Sequence, residues 1–336
     1  MKIIVTHASP DMDAITSVWL IRKFLPGWED AVVKFVPAGE RIARSPVRSF
    51  PPASAPLISS KMRAVGSPST SATPRSAVVE KIGDDEVIHV DTGLGPLDHH
   101  QTASDEVCGA SLTFDFVKQY QISNIKYQIS ENKKWKDRIE AVSRMVKVVV
   151  DIDHFKEVYR ADATADYHEF SVGSVLDGLK LQKPNKDEFY VDFISECLDA
   201  ILHEFENRIW AEKEIKNNGI KFKTKYGSGI GFETINDSVI KLAQKIGYVI
   251  VIRKDPRKGY VRVKARPSRY QISNIKYQKD NIDLTLAYEK LKKMDPSATW
   301  FLHVGKKMLL NGSVKNPKMR PTRLGLRDII GVLEKI

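Results

Sequence analysis

Cysteine is scarce in this chain. There are only Cys108 and Cys197 in 336 residues, with no CxxC pair, so neither a disulfide framework nor a zinc knuckle is expected. Long apolar runs are missing too: none approaches the roughly 18 residues that a membrane helix needs. The first residues enter a strand-like run, Ile3-Ile4-Val5, without a basic leader, so the expectation is a protein of the reducing cytoplasm. A phosphate loop is also lacking. Gly227-Ser228-Gly229-Ile230-Gly231 is Gly-rich, but neither GxxxxGK[ST] nor GxGxxG surrounds it, and it reads as a flexible turn. Residues 41–79 hold no Asp or Glu and show neither helix nor strand period; rich in Ser, Pro, Ala and Arg, they read as an inserted disordered loop.

What is present is ordinary for a globular protein: 42% hydrophobic and 28% charged residues, in a length sufficient for two cores. The charge is unevenly placed. Residues 213–336 carry 28 Lys and Arg against 10 Asp and Glu, a net of +18, whereas residues 1–212 carry 25 against 32, a net of −7. An acidic part able to bind cations is joined to a basic part suited to a phosphate-bearing partner.

Apolar patterning predicts strands over 2–6, 31–36, 86–90 and 146–150. Helices are expected over 13–25, 104–118 and 133–145, a short one before residue 178, and a long one over 189–215. On the long helix Phe193, Cys197, Ile201, Phe205 and Ile209 recur every fourth residue, which suggests a face packed between domains. The basic part reads as strands over 248–252, 260–265 and 299–304 and helices over 284–294 and 326–336. The expected fold is α/β: a mostly parallel sheet flanked by helices in residues 1–185, a connecting helix over 186–215, and a smaller basic α/β domain over 216–336. The nonapeptide YQISNIKYQ occurs at 120–128 and again at 270–278, and is read as two surface-loop insertions.

Chemistry concentrates where strands end. The first strand runs into Thr6-His7-Ala8-Ser9-Pro10-Asp11-Met12-Asp13-Ala14. The strand at 86–90 runs into Asp91-Thr92-Gly93, followed by Asp98-His99-His100-Gln101. The run Val148-Val149-Val150 leads to Asp151-Ile152-Asp153-His154. Open α/β sheets collect ligands at the carboxyl ends of their strands. His7, Asp11, Asp13, Asp91, His99 and Asp151 would therefore converge. Six such groups exceed one tetrahedral zinc and suit two divalent cations sharing a carboxylate, Mn²⁺ rather than Ca²⁺, with Mg²⁺ as the alternative. His89 faces away from its neighbours and reads as packed, and His168 and His203 lie outside the pattern. In the basic part Arg262, Lys264 and Arg266 alternate onto one strand face, and Lys306 lies on a turn.

These motifs resemble those of the DHH phosphoesterase superfamily. His7-Ala-Ser-Pro-Asp11-Met-Asp13-Ala resembles HxxPDxDA, Val90-Asp91-Thr92-Gly93 the second motif, Asp98-His99-His100 the third, and Asp151 the strand-terminal Asp of the fourth. By analogy with family II inorganic pyrophosphatases, the resemblance implies that His7 and Asp11 hold one metal, Asp13, His99 and Asp151 the other, and Asp91 bridges them. It also implies that His100 contacts the phosphate or protonates the leaving oxygen while Asp98 orients the histidines. The C-terminal GGGH motif is absent; Gly305-Lys306-Lys307 stands roughly in its place. The Asp98-His99-His100-Gln101 form and divergent second half resemble the melanocyte-proliferating-gene-like branch of exonucleases. The expected function is two-metal hydrolysis of a phosphodiester in a nucleotide or short single-stranded oligonucleotide, with Arg262, Lys264, Arg266 and Lys306 neutralising phosphate charge. The alternatives are a manganese-dependent inorganic pyrophosphatase and a non-catalytic nucleic-acid-binding protein with a vestigial site.

Overall fold

The computed structural model describes residues 1–42, 78–124, 133–267, 281–313 and 315–336. Most of the 41–79 segment, residues 125–128 of the first nonapeptide and the whole of the second lie outside these. Residues 120–124 continue a helix, where a loop was expected. The chain separates into two compact units, Met1–Glu206 and Asn207–Ile336. Among the described residues no helix is long and apolar enough to cross a membrane.

The first unit is built on a four-stranded sheet in the order β2-β1-β4-β3: β1 (Lys2–His7), β2 (Val32–Val36), β3 (Glu80–Ile82) and β4 (Asp85–His89). β1 pairs in parallel with β2 and β4; β3 adds an antiparallel edge that the periodicity did not reveal. β1 is buried on both faces, as a near-continuous apolar run requires. Ile3, Val5 and Val87 form a cluster on one face with Val36, Ile42 and Ile82. The chain leaves β1 toward β2 on one side and meets β4 on the other. The carboxyl ends of β1 and β4 thus lie together at the point where the strand order reverses.

Helix α1 (Met12–Phe24) starts at the Asp11 cap and stops before Pro26-Gly27. Helix α2 (Gly109–Asn124) packs against it, as does α3 (Lys133–Asp153). α3 corrects the expectation of a strand over 146–150. Met145 and Val146 are buried, Lys147 and Val148 are not, and Val149 and Val150 are buried again, a helical alternation. The β-branched run is tolerated because three of its four valines fill the core. Two 3-10 turns, Lys156–Tyr159 and Asp166–Phe170, lead to α4 (Val172–Gln182) and α5 (Asp187–Asn217). α5 departs from expectation in part: of the expected face Ile209 is buried, Cys197, Ile201 and Phe205 are half-buried and Phe193 is exposed, while Tyr190, Val191, Ile194, Leu198 and Leu202 are buried.

The second unit is a six-stranded sheet, β5 (Ile220–Thr224), β6 (Gly227–Glu233), β7 (Ile250–Lys254), β8 (Val261–Ala265), β10 (Met308–Asn311) and β9 (Trp300–Leu302), in that order. The Gly-rich segment is strand β6, not a turn. Its glycines make room for neighbours: a Cβ on Gly229 would lie 2.3 Å from the Phe222 ring, which occupies the space. The hairpin β9–β10 places Lys306 in its turn. Helices α7 (Thr285–Met294) and α8 (Leu326–Leu333) cover one face over a core including Ile250, Ile252, Val263, Leu291, Leu309 and Ile330. Helix α6 (Ser238–Lys245) and the end of α5 cover part of the other through Ile230, Phe232 and Val251.

Candidate metal centre

The loop between β1 and α1 carries the first two groups. Asp11 is the helix cap: its Oδ1 accepts the backbone N–H groups of Asp13 (2.9 Å) and Ala14 (3.0 Å). That leaves Oδ2 facing His7 Nε2 at 3.7 Å. His7 donates Nδ1–H to the Ala8 carbonyl (3.0 Å), which presents Nε2 to the cluster. The loop is held from outside: Ser9, at φ +53°, donates its N–H to Asp187 Oδ2 (3.1 Å), and Lys180 Nζ donates to the Ser9 carbonyl (3.1 Å).

Asp91 lies at the centre. It follows β4 in a left-handed conformation, φ +50°, that Asp tolerates better than a β-branched residue. Its N–H donates to the Leu97 carbonyl (3.0 Å), which folds the 91–98 loop back on itself. The side chain is 2% exposed. Its Oδ2 is 3.4 Å from His7 Nε2 and its Oδ1 is 3.6 Å from His99 Nε2, so one carboxylate presents one oxygen to each of two imidazoles. His99 Nε2 also lies 3.6 Å from Asp153 Oδ2 and 3.8 Å from Asp13 Oδ2.

Asp153, not Asp151, completes the group. α3 is a helix whose residues 142, 146, 149 and 150 are buried, and half-buried Asp153 continues their line at helical spacing. Asp151 points elsewhere, 3.8 Å from Lys147 one turn earlier. The strand-end rule pointed to Asp151, whereas the acid of the Asp-Ile-Asp pair that the structure brings to the group is Asp153. His154, also passed over, has a potential ligand atom close to those of His99 and Asp153. Its Nε2–H donates to the Val107 carbonyl (2.9 Å), tying the end of α3 to the loop that precedes α2.

Asp13 is more deeply placed than expected. Its two oxygens accept the N–H groups of Gly109 (2.7 Å) and Ala110 (2.6 Å), so it caps α2 from a distance of 96 residues. This explains why α2 begins at Gly109 and not near 104. A Cβ at Gly109 would lie 2.9 Å from Asp91 Cβ and 3.0 Å from Asp13 Oδ2, so only glycine lets the helix approach both carboxylates. Nothing in the sequence pattern marked Gly109.

Asp98 accepts from His100 Nδ1–H (2.7 Å), His100 N–H (3.0 Å) and Leu94 N–H (2.7 Å), which aims His100 and closes the loop. His7, Asp11, Asp91, Asp98, His100 and Asp153 line an open cleft of about 400 Å³. His89 is buried beside Arg41 and takes the Ile42 N–H (3.2 Å), a packing role; burial and Arg41 push its pKa down to about 4.

The electrostatics are those of crowded anions. Burial, then the Asp91 charge, raises the Asp13 carboxyl well above its usual range. Burial also raises Asp153; Asp11 and Asp91 add to it while His99 opposes. Burial disfavours the charged form of His7, but Asp91, the Ala8 carbonyl and Asp11 outweigh it and lift the pKa to about 9. Buried Asp91 Oδ1 and Asp153 Oδ2 have no hydrogen-bond partner among the described residues. Repelling carboxylates, two orphaned oxygens and imidazoles aimed inward suit cations. Among the described residues three overlapping groups are close enough to hold a metal ion: His7–Asp11–Asp91, Asp91–His99–His100 and His99–Asp153–His154.

The cationic candidates belong to the second unit. Arg262 and Lys264 share a face of β8. Arg262 is ion-paired with Asp237, and Lys306 with Asp283 at 3.0 Å. Arg266, just beyond β8, donates its N–H to the Val249 carbonyl (2.8 Å).

Neither a protein-family model nor a curated protein matches the chain in sequence.

Proposed function

We propose that the first unit is a two-metal phosphoesterase that hydrolyses a phosphodiester of a nucleotide or short oligonucleotide. The observation that carries this reading is Asp91: a buried carboxylate whose two oxygens face His7 and His99, groups from segments 92 residues apart in sequence. In this reading His7 and Asp11 would hold one divalent cation and His99 and Asp153 the other, with Asp91 available to both. Mn²⁺ suits the mixed imidazole and carboxylate donors, and Mg²⁺ is the alternative. Such a pair, when bound, supplies Lewis acidity and lowers the pKa of a water toward neutrality.

The remaining chemistry belongs to the protein. Asp13 anchors α2 and keeps its amide dipoles directed at the carboxylates. His100 stands at the mouth of the cleft with Nδ1 held by Asp98. Burial opposes its protonated form, but Asp98 and Asp91 prevail and raise its pKa, which suits a group that delivers a proton to a leaving oxygen.

The test is a Mn²⁺-dependent hydrolysis panel of pyrophosphate, cyclic dinucleotides, phosphoadenosine phosphate and end-labelled short oligonucleotides, with Asp91→Ala as control. Cleavage of a nucleotide phosphodiester that is lost in Asp91→Ala is the expected result. Pyrophosphate as the sole substrate would replace the phosphodiester with the pyrophosphatase alternative. Turnover unaffected by Asp91→Ala would end the hydrolase reading.

A further inference from the structure

Among the described residues no helix of the second unit covers β8, β10 and β9 on one sheet face, and the residues on it are not of a random kind. Strand pairing sets them out in rows. Phe301 of β9 stands opposite Leu310 of β10, Leu310 opposite Arg262 of β8, and Arg262 opposite Arg253 of β7. In the next row Met308 stands opposite Lys264. α6 and the end of α5 bury this face over β6 and β7 at Ile230, Phe232 and Val251. Beyond them Arg262, Lys264, Met308 and Leu310 are only half-buried, and Phe301 is 49% exposed.

Two features of this surface call for an anion. Like charges directly opposite across a strand pair destabilise a sheet, yet Arg253 and Arg262 are so placed, and one carboxylate, Asp237, serves both. No Asp or Glu stands on this face of any described strand. The aromatic is the third feature. Phe301 is half-exposed at the end of a row that runs through Leu310 to Arg262, and it is two strand spacings, roughly 10 Å, from Arg262.

From this juxtaposition we infer that the open β8-β10-β9 face binds single-stranded nucleic acid, with a base stacked on Phe301 and backbone phosphate at Arg262 and Lys264. The aliphatic pair Leu310 and Met308 lies between them as the floor. Aromatic platforms beside cations bind single strands in a sequence-tolerant way, because every base has a stacking face. The net +18 of residues 213–336 supplies the longer-range attraction. The inference takes its nucleotide substrate class from the reading above, but it does not depend on hydrolysis.

The experiment is fluorescence anisotropy of the full chain with fluorescein-labelled 12-nucleotide oligo-dT and oligo-rU, in EDTA so that nothing is cleaved. Phe301→Ala is expected to weaken binding about tenfold or more, and Phe301→Tyr to restore it. Lys264→Gln is expected to lower the salt slope of binding by about one contact. Val148→Ala, on the exposed side of α3 and outside the carboxylate cluster, is expected to bind as the wild type does. Unchanged affinity in Phe301→Ala, equal affinity for duplex DNA, or a loss that tracks dissociation of a dimer in sedimentation would each overturn the inference. Phe301-dependent binding by a protein that hydrolyses nothing would support it and sink the phosphoesterase instead.

Discussion

Two acids only two residues apart, and so on opposite sides of helix α3, separate the metal reading from coincidence. Asp153 has a buried oxygen without a partner among the described residues, 3.6 Å from His99 Nε2, whereas Asp151 is turned toward Lys147. Isothermal titration of Mn²⁺ into Asp153→Ala should show about a tenfold or greater loss of affinity, since even outer groups of metal sites cost that much. Asp151→Ala should lie within twofold of wild type. The reverse ranking would return the fourth ligand to the strand-end position. His7 adds a pH dependence. Its folded pKa of about 9 lies above the ordinary 6.5, because Asp91 and its other partners outweigh the burial that disfavours charge. A group raised in this way contributes stability that is fully present below about pH 6.5 and is lost as pH rises through about 9. The metal-free protein should therefore melt at progressively lower temperature between these limits. Mn²⁺ must displace the same proton, so its affinity should rise over that window and the heat should depend on the buffer's ionisation enthalpy. In His7→Asn both slopes should flatten.

At the scale of elements, the same region shows what the sequence discloses and what it conceals. β1, α1, β2 and β4 were legible because their patterns are long or have a stop signal: an apolar run, an Asp cap, a Pro-Gly end. His7 and Asp91 followed from the strand-end rule. The rule failed for Val146 to Val150, because a short β-branched run looks the same in a buried strand and on a buried helix face. Read at helical spacing from Val142 onward, the pattern would have pointed to Asp153. β6 was hidden for another reason: its glycines are fixed by Phe222 and by helix side chains that only the folded sheet brings near. The helical reading of α3 has its own check. Val148 is 42% exposed and Val150 is 5% exposed. Val148→Ala should be neutral or stabilising by a few tenths of a kcal/mol, from the better helix propensity of Ala. Val150→Ala should cost about 2 kcal/mol in urea unfolding, from lost burial and the cavity left behind. Equal costs at the two positions would contradict the helix.

At the scale of the whole molecule the charge division matters most. Residues 1–212 are net −7 and hold the carboxylate cluster, while residues 213–336 are net +18. In the proposed reading the cluster's negative charge would attract cations, and that same charge would repel a phosphate until cations are bound. A long polyanion can draw on many cations of the basic part at once; pyrophosphate can draw on few. Each phosphate contact on a single strand contributes a slope of about −0.7 to log K against log salt. With Mn²⁺ present, the KM for an oligonucleotide should climb steeply between about 50 and 200 mM salt, the range over which several contacts are screened. The KM for a mononucleotide ester or pyrophosphate should move only a few-fold over the same range. If the two KM values rise in parallel, the basic part adds no contacts along the strand. The substrate would then be one small enough to be recognised at the metal cluster alone.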